Sequence, residues 1–378
     1  MKKKSGRILL IIFIIVSGVY MITSITGYNY IYKALFYNYA NIDDYKIFYN
    51  RTVESGVPQP IPLSGHYHNH KLSESLSAEL DSLKTVAFLL VQNDSIQFEK
   101  YWDDYSDTSY SNSFSIAKSI VSILTGVAIK EGYIHSLDQP VSDFLPQFKI
   151  GDKSKIKLKD LLTMTSGTNW DEGYSSLLSS TTEAYYGTDL LSLISDVNVV
   201  NEPGTLWRYK SADTETMGLV LEKATGKNLS KFASEKLWKP IGAVRPALWS
   251  LDEKLGDEKA YCCFNSNARD FAKIGQLYLD SGKWNGNEII PIDYYLNSIQ
   301  PVNVKDEDGN DCNYYGYYWW LLPEYPGVFY ARGILGQYII VIPQKNAVIV
   351  RLGEERGRIQ NQSYREVYDM VDWVLKNY

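Results

Sequence analysis

Residues 115 to 130 read Ser115-Ile116-Ala117-Lys118-Ser119-Ile120-Val121-Ser122-Ile123-Leu124-Thr125-Gly126-Val127-Ala128-Ile129-Lys130. Ile116, Ile120, Ile123, Leu124 and Val127 fall on one stripe at helical spacing, and Gly132 stands just past the end. That pattern predicts a largely buried helix opening at Ser115. Ser115 and Lys118 are three residues apart, so the helix sets a hydroxyl and an amine side by side on its first turn. A serine there has its alkoxide favoured by the helix dipole, and its backbone N–H is free to serve as an oxyanion donor. The lysine amine stands close enough to take its proton. Such a site needs no histidine, metal or organic cofactor. By itself, Ser-x-x-Lys also arises by chance in a chain this long, as a capped helix start with a snorkelling lysine. The flanking sequence has to decide.

Upstream, Thr85 to Val91 (TVAFLLV) is a continuous apolar run of strand length. Ser95 to Tyr101 (SIQFEKY) alternates after an Asn93-Asp94 turn, so the two read as a hairpin. Downstream, from about residue 137 to 302, helical patterns at Asp189 to Asp196, Ala212 to Ala224 and Ala268 to Ser281 predict a mostly helical lobe. Four strand-like runs follow, Gly316 to Leu322, Val328 to Arg332, Gln337 to Ile342 and Ala347 to Leu352, and then an amphipathic helix from Ser363 to Tyr378. The expected fold class is α/β (α+β). An antiparallel sheet is built from the N- and C-terminal parts of the domain and flanked by helices, with the helical lobe inserted between them.

Two stretches after the helix, Leu137-Asp138-Gln139-Pro140-Val141-Ser142-Asp143-Phe144-Leu145-Pro146 and Leu161-Leu162-Thr163-Met164-Thr165-Ser166-Gly167, closely resemble those that follow the nucleophile helix in class C β-lactamase-like serine hydrolases. Pro203-Gly204-Thr205-Leu206-Trp207-Arg208-Tyr209-Lys210-Ser211 resembles that family's second motif, a Tyr-x-Asn or Tyr-x-Ser. Ala268 to Gly275 and Gly282 to Gly286 are also typical of it. The resemblance covers most of residues 80 to 378 and implies a DD-peptidase/β-lactamase-like fold. It further implies Ser115 as nucleophile, with Lys118 and Tyr209 as the proton-handling pair. The chemistry fits, because a phenol held near an ammonium has its phenolate favoured by the opposite charge. Any one of 31 tyrosines is more often packing than catalysis, and only the motif singles out Tyr209.

The third motif departs from the family. Relatives carry Lys-Thr-Gly or His-x-Gly on the strand flanking the cleft, whereas this chain has Ala331-Arg332-Gly333-Ile334-Leu335-Gly336-Gln337. The missing lysine weakens the expectation of β-lactamase or D-Ala-D-Ala carboxypeptidase activity. Arg332 could stand in only if its side chain enters the cleft, and strand alternation argues against that. The Gly-x-x-Gly-Gln form, and Ser211 in place of asparagine, resemble instead the esterase and 6-aminohexanoate-dimer hydrolase branch. Ser211, Arg332, Gly333 and Gln337 are the expected substrate-binding residues, and the backbone N–H groups of Ser115 and Ile334 the expected oxyanion hole. The aromatic run Tyr314-Tyr315-Gly316-Tyr317-Tyr318-Trp319-Trp320 reads as a packed strand face, with a substrate-facing rim as the sharper alternative.

Before the domain, Met1 to Arg7 carries four positive charges, and Ile8 to Gly27 (ILLIIFIIVSGVYMITSITG) runs without a charge. At 1.5 Å per residue this is enough to span a ~30 Å hydrocarbon core. The basic flank is expected in the cytoplasm, making the chain a single-pass protein of a bacterial-type inner membrane with its hydrolase domain on the periplasmic or extracellular side. Tyr28, Tyr30, Tyr32 and Phe36 resemble an interfacial belt and favour an uncleaved anchor over a signal peptide. Residues 28 to 80, with Pro58, Pro60 and Pro62, read as a tether and docking arm ahead of a hydrolase domain at 81 to 378.

Composition is that of a globular chain: 378 residues, 45% hydrophobic and 22% charged. A net charge of −6 without a basic stripe outside the N-terminus excludes nucleic acid as a partner. Cys262, Cys263 and Cys312 are too few and too oddly spaced for a disulfide framework or a zinc site. They read as buried thiols, with one bridge involving Cys312 as the alternative. His66, His68 and His70 would share a face of an extended strand, but their proline-punctuated setting makes them linker residues rather than metal ligands.

The expected function is an acyl-transfer hydrolase acting on an ester or amide in a small-molecule or peptide-like substrate. A penicillin-binding-type peptidase or β-lactamase is the rival within enzymes. From another class, the rival is a sensor or envelope-ligand module that acylates on Ser115 without turnover.

Overall fold

The computed structural model describes residues 2 to 378, with side chains from residue 10 onward. The apolar run at Thr85 becomes the strand Thr85–Gln92, which turns through Asn93 and Asp94, at φ +48° and +58°, into Ser95–Tyr101. Two consecutive residues at positive φ match the twist of a tight hairpin. These strands form one half of a six-stranded antiparallel sheet whose other half lies more than 200 residues downstream. Its order is Trp320–Leu321, Phe329–Gly333, Gln337–Ile342, Ala347–Gly353, Thr85–Gln92, Ser95–Tyr101. The closure is the pairing of Val348 with Val91 and Val350 with Leu89. Of the run expected as a strand from Gly316 to Leu322, only Trp320–Leu321 pairs, because the backbone turns at Tyr318 (φ +61°).

Alternation gives the sheet two apolar faces, and a helix covers each. The helix Ala268–Leu279 lies so close that a Cβ on its Gly275 would meet Val348 Cγ1 at 2.4 Å. That helix, read from its pattern as part of the lobe, is therefore a sheet-covering helix. On the other face Trp373, from the C-terminal helix Arg365–Asn377, meets the rings of Phe88 and Phe98 at 5.7 and 5.8 Å.

The helix that follows Ser115 spans Ile116–Lys130 and is buried as far as Ala128. Gly126 at its centre costs about 1 kcal/mol of helix propensity. Its missing side chain makes room for Tyr294, whose ring a Cβ there would meet at 2.8 Å. A second antiparallel sheet, in the order Asn50–Val53, Ala247–Ser250, Phe264–Ser266, Ser111–Asn112, feeds directly into this helix.

The first strand of that second sheet comes from the stretch read as a tether, so residues 28 to 80 are not a free linker. Asn50–Val53 pairs along its whole length with Ala247–Ser250. Before it, the short helix Tyr30–Tyr37 buries Tyr30 and Ala34. The histidine run turns rather than extends: His68 has φ +61°, its N–H donates to Gln97 at 2.8 Å, and its ring packs 4.7 Å from Phe98. Hydrophobic side chains under a proline-rich stretch are what sequence periodicity could not register.

A helix runs over Lys2–Ile25, and the apolar side chains of residues 10 to 16 point away from the rest of the protein. Among the described residues no single helix is long and apolar enough to cross a membrane. Leu10–Ile25 and Tyr30–Tyr37 meet that requirement only together, across a 114° bend. Residue 1 and the side chains of the basic flank lie outside the described residues.

Candidate active site

The strand Ser111–Asn112 reaches the nucleophile helix through Phe114, whose φ of +45° turns the chain sharply. A non-glycine residue in that region costs on the order of 1–3 kcal/mol, and the surrounding packing has to hold it there. Asn112 Oδ1 accepts from Phe114 N at 2.9 Å, and Ser113 N donates to Phe264 O at 3.0 Å. Ser115 emerges half-buried at the helix start, as read from the sequence. The N–H groups of Ile116, Ala117 and Lys118 are donated to the carbonyls of Ser113, Phe114 and Ser115. The N–H of Ser115 itself has no acceptor among the described residues.

Lys118 is buried, and its Nζ lies 3.1 Å from Ser115 Oγ and 3.2 Å from Ser211 Oγ, and donates to the carbonyl of Tyr261 at 2.8 Å. No carboxylate forms an ion pair with it among the described residues. Burial therefore dominates and lowers its pKa to about 8, against the more distant pull of Glu172, Glu215 and Asp213. Tyr209 closes the cluster. The Lys118 ammonium sits 5.1 Å from its ring centroid, and its side chain interacts with Ser115. Its phenol is nevertheless raised well above the usual value, first by burial and then by the charge of Glu172, which outweigh the interaction with Ser115. The expectation that an ammonium would favour its phenolate is corrected: the lysine, not the tyrosine, is the group poised to give up its proton.

Ser211, expected to bind substrate, is buried and links Lys118 to a carboxylate that the sequence did not single out. Its Oγ donates to Glu172 Oε1 at 2.7 Å, and its N–H to Oε2 at 2.7 Å. Trp170 Nε1 and Tyr174 OH donate to the same carboxylate at 2.9 and 2.6 Å. Glu172 lies just after the Leu161 to Gly167 motif, but nothing in its spacing relates it to Ser115, 57 positions earlier.

The strand Phe329–Gly333 brings the third motif alongside. A Cβ at Gly333 would meet Ser113 O at 2.2 Å, so only glycine lets the strand end come this close to the turn before Ser115. Ile334 follows and, with Ser115, lines both cavities described below. Gln337 is not a substrate contact: it is fully buried, its amide donates to Ile334 O at 3.1 Å and Gly353 O at 2.6 Å, and its Oε1 accepts from Gly353 N. Beneath the same turn lies Arg351, also missed. Fully buried, it donates to the carbonyls of Leu335, Gly336, Glu355 and Leu83 and to Thr85 Oγ1. It holds a turn in which Leu335 has φ +62°.

Arg332 is a correction to the sequence reading. Alternation holds with the opposite parity: Ala331 is the buried member, and Arg332 lines the cleft, its guanidinium carbon 3.3 Å from the Trp320 ring centroid. The aromatic run is mostly packed, as Tyr314, Tyr315, Tyr317, Tyr318 and Trp319 are buried, while Trp320 fronts the cleft. The cysteine expectation is also revised, since Cys262 and Cys263 are bridged to each other and Cys312 is a buried free thiol. That bridge follows directly on Tyr261, whose carbonyl holds Lys118.

Two cavities meet at Ser115. One, about 240 Å³, is walled by Trp207, Tyr209, Trp320, Arg332 and Tyr364; the other, about 440 Å³, by the N-terminal arm, Tyr174 to Leu177 and Tyr261. A half-buried hydroxyl between two pockets, with a buried amine behind it and a glycine-bounded turn beside it, is an arrangement suited to acyl transfer.

Comparisons with known proteins agree. The Beta-lactamase family model matches residues 74–369. The 6-aminohexanoate-dimer hydrolase of Paenarthrobacter ureafaciens is 24% identical over 294 residues, 73% of this chain and 74% of that protein. Among solved structures, a Bacillus anthracis protein provisionally assigned as a 6-aminohexanoate-dimer hydrolase superimposes with a TM-score of 0.75 at 21% identity, covering 89% of this chain and 91% of that one. A family VIII carboxylesterase gives 0.66 at 16% identity, covering 83% and 98%. With the expected sheet, the Ser115–Lys118 pair and a family match over most of its length, this chain belongs to the Beta-lactamase family of serine hydrolases.

Proposed function

We propose that the chain hydrolyses an ester or amide through an acyl-enzyme on Ser115. Neutral Lys118 takes the proton as Ser115 Oγ attacks the carbonyl carbon, and the N–H groups of Ser115 and Ile334 receive the developing oxyanion. Tyr209, protonated at rest, relays a proton to the departing alcohol or amine. Water then attacks the acyl-enzyme, and the acid leaves as Ser115 regains its proton. Glu172 acts through Ser211 to fix the lysine. The observation that carries this reading is the 3.1 Å approach of a buried, unpaired lysine amine to the serine hydroxyl. Ser115→Ala should abolish turnover of nitrophenyl acetate, and retained turnover in that variant contradicts the reading.

Arg332 supports a second reading of the substrate. A cleft guanidinium with no carboxylate partner among the described residues is a ready site for a substrate carboxylate, as a cell-wall peptidase or β-lactamase would need. Comparing short-acyl esters, linear amides and a chromogenic cephalosporin separates the two. Membrane anchoring through Ile8 to Gly27 is part of the same proposal, supported by the uncovered apolar side chains from Leu10 to Val16.

A further inference from the structure

The larger cavity at Ser115 is built in an unusual way, because one of its walls comes from the N-terminal arm. Ala34, Leu35, Asn38, Tyr39 and Ala40 line it together with Leu177, Tyr185, Ser115 and Ile334. Most of that lining is apolar, and the volume of about 440 Å³ exceeds what an acetyl or a single amino-acid group fills. Two of its apolar lining residues are themselves exposed, Leu35 at 60% and Tyr39 at 79%, and so are Phe36, next to Leu35 in the chain, and Leu178, next to Leu177. Clustered apolar exposure around a cavity mouth marks a surface that meets something apolar.

The arm also fixes what that is. The helix Tyr30–Tyr37 begins five residues after the end of the helix Lys2–Ile25, whose apolar side chains from Leu10 to Val16 are uncovered. The cavity wall that this arm supplies is therefore about one short helix, on the order of 12 Å of chain, from the end of the segment proposed to lie in the bilayer. Arg356 lines both cavities, and the smaller one adds a second guanidinium, that of Arg332 stacked on Trp320 within an aromatic box. The two sides of a carbonyl seated at Ser115 thus meet different surroundings.

Building on the acyl-transfer reading, we propose that the natural substrate is a single-chain amphiphile. Its unbranched apolar chain lies in the cavity between the N-terminal arm and Ser115, its polar end lies toward Arg332, and the scissile carbonyl joins the two. The chain enters from the membrane side, past Leu35 and Leu177.

Two series of nitrophenyl and alkyl esters, lengthened from two to ten carbons on the acyl or on the alcohol side and kept below their aggregation limits, test this on the full-length protein. In at least one series kcat/KM should rise about fourfold per methylene, which is the ~0.8 kcal/mol of burying one CH2. In Leu35→Asp, and separately in Leu177→Asp, the ratio of ten-carbon to two-carbon kcat/KM should fall at least tenfold. As a ratio within one sample, it is unaffected by any fraction that fails to fold. Flat or falling series from an enzyme active on acetate overturn the chain inference alone, as do unchanged ratios in both variants. No turnover of any ester, with no adduct on Ser115, overturns the acyl-transfer reading and this inference with it.

Discussion

Lys118 stands where burial and the proposed proton transfer coincide. An ammonium stripped of water, donating to one carbonyl and two hydroxyls but paired with no carboxylate, gives up its proton near pH 8. Because the base must be the free amine, kcat/KM for a neutral ester should rise about tenfold per pH unit below pH 8 and level off above it. A profile that is flat, or that falls across this range, contradicts the assignment. Lys118→Arg keeps the charge but cannot be deprotonated, and should lose on the order of 10²–10⁴ in kcat. Ser115 and Lys118 were legible in the sequence because a single helical turn relates them. Glu172 was not, since its relation to Lys118 passes through Ser211 and exists only in the folded chain. The protonation state of Tyr209 was misread for a related reason: spacing reveals a neighbour's charge but not the burial that outweighs it.

At the scale of elements, the turn Ile334–Gly336 depends on its support from below. Arg351 spreads a planar fork across four backbone carbonyls and one hydroxyl, a job for which lysine, a point charge with three donors, is poorly shaped. Arg351→Lys should cost on the order of 3 kcal/mol by leaving buried carbonyls without donors. It should also lower kcat more than it changes KM, by up to the 10²–10³ that losing one oxyanion donor costs. Thermal unfolding and steady-state kinetics of the same sample check both, and an unchanged kcat would show that the turn does not need the fork. The strands Gln337–Ile342 and Ala347–Gly353 were readable because β-branched runs between turns have few other fates. The side that Arg332 faces was not, because alternation fixes only relative parity, and the absolute choice comes from Ala331 packing inward. The strand Asn50–Val53 was invisible for lack of length: four residues ahead of a proline-rich stretch carry no period.

The whole molecule brings together parts of the chain that are far apart in sequence. Ser115 arrives on a helix fed by the second sheet, Tyr209 on the approach to Ser211–Thr225, Ile334 at the end of a strand of the main sheet, and the arm from the first 40 residues. The resemblance of the motif stretches to a known family anticipated most of this convergence, but not the part played by the arm. The most direct test of the central claim is labelling of the native full-length protein with a serine-reactive alkyl phosphonate, with the adduct located by peptide mass spectrometry. The account predicts a single adduct on Ser115 that is absent from Ser115→Ala and from protein unfolded in urea. An adduct on another residue, or one that persists in Ser115→Ala, would contradict it.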